Sequence, residues 1–114
     1  MNLILYYDLY ISADLEKKKD KILKKLEQNK FQRQIQLITL SQGEQNHLEF
    51  FSSYLLKQKL FQETPLFLVG IAGGYGSAVE LIQKITEDTY QETGQTNIRQ
   101  FLLERQEKHE RGGV

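Results

Sequence analysis

Four glycines fall within seven residues, at Gly70, Gly73, Gly74 and Gly76, directly after an apolar run and ahead of a helix-forming segment (PLFLVGIAGGYGSAVE, residues 65–80). Glycine lets a backbone approach a ligand closely, and the first N–H groups of a helix are unpaired and lie at the positive end of its dipole. A strand, a glycine loop and a helix start therefore make a place for an anionic or nucleotide-like group in loop 70–77. In this reading Gly73, Gly74 and Ser77 donate from the backbone and Tyr75 serves as lid or stacking group. Asp8 and Ser41 reach the same place from the ends of two other strands. The glycines also suit a plain strand-to-helix turn with no ligand.

The loop departs from the phosphate signatures. It lacks the Gly-Lys-Ser/Thr ending of a Walker loop, and the frame begun by Gly74 and Gly76 has Val79 where a dinucleotide fingerprint has its last glycine. The segment LVGIAGG resembles the first glycine loop of S-adenosylmethionine-dependent methyltransferases. That loop opens a much longer sheet than the chain after Ala72 can supply, so membership is not inferred and no cofactor is assigned. Two residues have the chemistry of an acid–base catalyst. Asp8 closes an apolar stretch, where partial desolvation suits a general base or a Mg²⁺ ligand. His47 lies near the start of an expected helix, whose positive end favours the neutral imidazole. Neither has an evident second acid, nucleophile or metal-ligand cluster beside it, and an enzyme is not the expectation.

Local patterns set the elements that must position these groups. Residues 3–7 read as a strand, and residues 13–29 as an amphipathic helix with Leu15, Ile22 and Leu26 on one face. A second strand spans 35–40. Ser41 and Glu44 then have capping-box spacing, opening a helix over the aromatic segment 44–61 with two apolar stripes, Leu48, Phe51, Leu55 and Phe50, Tyr54, Phe61. Pro65 leads into a third strand over 66–72. Ser77 and Glu80 repeat the capping spacing before a helix that Gly94 stops, and Asn97 caps a last helix carrying Ile98, Phe101 and Leu102. The order βαβαβα predicts an α/β fold: a mostly parallel three-stranded sheet with helices in two or three layers. One domain is expected over 1–104, with a frayed polar tail over 105–114.

Composition narrows the partners. The 114 residues carry 15 basic and 15 acidic side chains, so the chain lacks the net charge of a general nucleic-acid binder. Lys17, Lys18, Lys21, Lys24 and Lys25 are interspersed with Asp14, Glu16, Asp20 and Glu27, as on a solvated helix face. With no cysteine, disulfides and thiolate chemistry are excluded. No apolar run reaches the roughly 20 residues of a membrane span, and a cytoplasmic setting is expected. The alternative to a ligand site is a protein–protein or structural module, a homodimer in its simplest form, built on the aromatic helix 44–61.

Overall fold

The computed structural model of the chain describes residues 3–28, 30, 32, 34–41, 48–57 and 65–112. Four strands make one sheet: β1 (Leu3–Ile11), β2 (Gln36–Leu40), β3 (Leu48–Ser52) and β4 (Leu66–Ala72), in the order β1-β4-β2-β3. β1 and β4 run parallel, and β2 is antiparallel to both β4 and β3. The helices are α1 (Lys19–Glu27), entered through a 3-10 turn at Ala13–Lys18, α2 (Tyr75–Thr93) and α3 (Ile98–Glu110). Among the described residues no helix is long and apolar enough to cross a membrane.

Both faces of the sheet are covered. On one, Leu15, Ile22 and Leu26 pack against Leu37, Leu66, Leu68 and Ile71. On the other, Leu81 and Ile85 of α2 and Phe101 and Leu102 of α3 pack against Tyr6, Ile38, Leu40 and Val69. β4 is hydrogen-bonded along both edges and buried on both faces, which is why its sequence is an unbroken apolar run and not an alternating one. Enclosing a side chain such as Leu26, Ile85 or Leu102 contributes about 1.5–3 kcal/mol each.

The sheet is not the mostly parallel, three-stranded one expected from the order of elements. The difference arises in segment 44–61, where residues 48–52 form a strand and Ser53–Lys57 a 3-10 turn. In LEFFS the side chains alternate: Leu48 and Phe50 pack toward the α2 and α3 layer, Phe51 toward α1, and Glu49 is exposed. The two adjoining stripes of a supposed helix are thus the two faces of a strand, with period 2 instead of 3.6. Glu44, the acidic half of the expected capping box, lies outside the described residues.

Helix ends follow their sequence signals unevenly. Gly94 closes α2 in the left-handed conformation (φ 70°), its N–H bonded to the Tyr90 carbonyl, and Asn97 caps α3 by accepting from the Gln100 N–H at 3.1 Å. At its start, however, α2 begins at Tyr75 with Gly74 as N-cap and no side-chain cap, so Ser77 sits inside the first turn. α3 continues to Glu110, past Glu104, where the sequence was read as passing into a frayed tail. Gln106 and Arg105 tie this extension to β1.

Candidate functional site

β1 and β4 end side by side, and their carboxyl ends are joined by a small polar knot. The Ser12 N–H donates to the Ile71 carbonyl at 3.1 Å, the Ser12 hydroxyl donates to Asp14 at 2.6 Å, and the Ser12 oxygen accepts the Gly73 N–H at 3.1 Å. The Asp14 carboxylate stands where a Cβ on Gly73 would lie, which explains the glycine there without a ligand. Gly70 has a similar reason: a Cβ would come 3.1 Å from the Tyr10 carbonyl of the neighbouring strand.

β1 departs from regular pairing just before this knot. Leu5 pairs with Leu68 and Tyr10 with Gly70, so Tyr6, Tyr7, Asp8 and Leu9 stand opposite Val69 alone. The excess chain bulges outward, and a bulge re-aims side chains that a regular strand would alternate. α3 receives it: the Tyr7 N–H donates to Gln106 Oε1 at 2.8 Å, the Tyr7 ring stacks on His109 at 4.4 Å, and Asp8 meets Arg105 at 3.4 Å. Tyr10 reaches α2, donating its hydroxyl to Asp88 at 2.7 Å.

The bulge, the 3-10 turn and α2 enclose a cavity of about 540 Å³, in which Asp8 and Tyr10 face Lys84, Asp88, Glu92 and Arg105. A second cavity of about 620 Å³ lies against Ser12, Asp14, Ser77 and Glu80. Ile11, Glu16, Leu81 and Lys84 line both, so the two form one groove beside α2. Its deep end is dry: Tyr6 is 1% exposed and its ring lies parallel to that of Tyr10, with centroids 6.3 Å apart. Burial pushes both phenols well above their ordinary range, and at Tyr10 the bond to Asp88 adds to it. Both are neutral donors at physiological pH.

The residues expected to converge are partly separated. Gly73, Gly74 and Ser77 adjoin one another, with Ser12 and Asp14 against Gly73. Asp8 lines the other half of the groove, its side chain largely exposed. Tyr75 is 72% exposed, its ring edge-on to Phe50 at 5.3 Å. Ser41 is buried at the opposite end of the sheet, because β2 runs antiparallel to β4; there its carbonyl accepts from Arg99 at 2.6 Å. His47 lies outside the described residues.

Asp14, Asp88, Glu92 and Arg105 escaped the sequence reading of the site. The signal for two of them is present: Lys84, Asp88 and Glu92 recur every fourth residue beside the buried row Leu81, Ile85 and Thr89, which places charge along one flank of α2. Among the described residues no three His, Asp or Glu side chains are grouped to hold a metal ion. Fold and groove together describe a small three-layer α/β domain with a polar cleft beside the carboxyl end of an edge strand. Comparison of the chain with protein-family models, curated proteins and solved structures finds no match.

Proposed function

We propose that this protein is a binding module for a small polar ligand, with the groove beside α2 as its site and no catalytic step of its own. The carrying observation is the pair of connected cavities walled by three elements, the β1 bulge, the 3-10 turn and α2, where α/β domains gather ligands outside strand carboxyl ends. Leu81 and Ile11 give the floor an apolar strip, while the walls carry charges and the Tyr10 hydroxyl, a mix suited to a polar metabolite. An anion at Gly73, Gly74 and Ser77 has the uncapped start of α2 in its favour and the Asp14 carboxylate against it.

The test is a thermal-shift screen of amines, amino acids, sugars, nucleotides and phosphates, repeated on Glu16→Trp. Glu16 is exposed and lines both cavities, so the indole fills the groove without disturbing the core. A ligand that stabilises the natural chain and not Glu16→Trp supports the reading; a ligand indifferent to the substitution refutes it.

A second reading, self-association, has support in edge strand β3: Phe50 and Phe51 are half-buried, and Tyr54 and Leu55 after them are each over a third exposed. A dimer seen by sedimentation that persists in Leu55→Glu would remove this surface from consideration.

A further inference from the structure

We infer that the ligand of the groove is an organic cation, an amine or guanidinium seated among Glu16, Asp88 and Glu92; this rests on the reading of the groove as a ligand site. Six carboxylates line the two cavities, Asp8, Asp14, Glu16, Glu80, Asp88 and Glu92, against three cations, Lys19, Lys84 and Arg105. Two of the cations are engaged: Lys84 lies 3.5 Å from Asp88, and Arg105 is bound to Asp8 and laid 5.2 Å over the Phe101 ring. Among the described residues Glu16 and Glu80 have no ion pair or side-chain hydrogen bond. Low-dielectric walls focus such an excess of one sign and raise the local concentration of the opposite charge.

Tyr6 supplies an independent observation. Its side chain is buried, yet its hydroxyl has no hydrogen-bond partner among the described residues. An unpaired buried hydroxyl costs about 1–3 kcal/mol. Asp8, Glu92 and Arg105, which line the inner cavity, all act electrostatically on this phenol. A donor-rich ammonium beside Glu92 finds a neutral oxygen acceptor there as well as a carboxylate. A phosphate would meet the same carboxylates as repulsion. The start of α2, where the helix dipole favours anions, is faced by Asp14 and Glu80.

The test uses the full ¹⁵N-labelled chain, titrated with spermidine and separately with inorganic phosphate at constant ionic strength while amide shifts are followed. Spermidine is expected to move Tyr10, Ile11, Lys84 and Asp88 saturably. Glu92→Gln should weaken it about tenfold, the loss of one charge-assisted contact. Glu27→Gln, the same charge change at the exposed end of α1, should leave affinity unaltered. The native spectrum of each variant establishes that it is folded. If phosphate moves these amides and spermidine does not, the cation is wrong and the groove stands. If neither moves them, both the inference and the groove fail. Equal weakening by Glu27→Gln would reduce the effect to general surface charge and overturn the proposal.

Discussion

Asp14 fills the space that a side chain on Gly73 would need, and the same carboxylate accepts the hydroxyl of Ser12, whose oxygen holds the Gly73 amide. The glycine loop is thus closed by the chain's own carboxylate. Asp14 is exposed, so Gly73→Ala can push it into water instead of into the core. The expected cost is the lost hydrogen bonding, about 1 kcal/mol. Asp14→Ala should cost the same, and the double variant little more than either alone. Urea unfolding of all three checks this; additive losses would show that the two residues are not coupled.

Alkaline pH should weaken the fold through Tyr6 and Tyr10. Their folded pKa values are raised by burial, and at Tyr10 by Asp88 also, so the stabilisation is fully present below the unfolded value of about 10 and is lost as pH rises above it. Lysines titrate in the same window, so the informative quantity is a difference. Between pH 9 and pH 11, Tyr10→Phe should lose less stability in urea than the natural chain, and an identical loss would contradict the assignment.

Gln106 stands in for a strand partner at the β1 bulge. Gln106→Leu removes the acceptor of the Tyr7 N–H while keeping the apolar stem, at a cost of about 1 kcal/mol. Hydrogen exchange should accelerate at Tyr7 before it does at Leu5, which pairs with β4. Uniform acceleration would mean that α3 supports the whole strand and not its bulge.

Adjacent leucines in α3 should behave differently. Leu102 is fully enclosed, so Leu102→Ala is expected to cost 2–5 kcal/mol, a flagged range of about the usual size for a core leucine. Leu103 is 39% exposed, and Leu103→Ala should stay within about 0.5 kcal/mol. Equal losses in urea would place α3 in a different rotation on the sheet.

Much of the fold was legible because burial imposes its period on the sequence. Leu15, Ile22 and Leu26 announced α1, the apolar run 66–72 announced β4, and Gly94 and Asn97 marked helix ends. β3 was not legible as a strand because Leu48, Phe51 and Leu55 satisfy a helical spacing as well as Leu48 and Phe50 satisfy an alternating one. That ambiguity concealed the direction of β2, and with it the fact that Ser41 and Gly73 lie at opposite ends of the sheet. The groove was half legible. Asp8 and Ser77 were singled out from their places after a strand and in a helix start. Asp14 and Arg105 were not, since their roles depend on a turn meeting a loop and on α3 crossing β1, contacts that no local pattern encodes.

The central position of β4 orders the events of synthesis. Leu3 pairs with Leu66, and β2 needs the same strand on its other side. As the chain leaves the ribosome, β2 and β3 can join as soon as both are out, because Leu40 meets Leu48 across a short connection. β1 has no such neighbour and must stay unzipped until Ala72 has emerged, when one long closure completes the sheet. A ribosome that stalls before Leu66 therefore releases a chain whose first strand is apolar and unpartnered, a species for chaperones to hold.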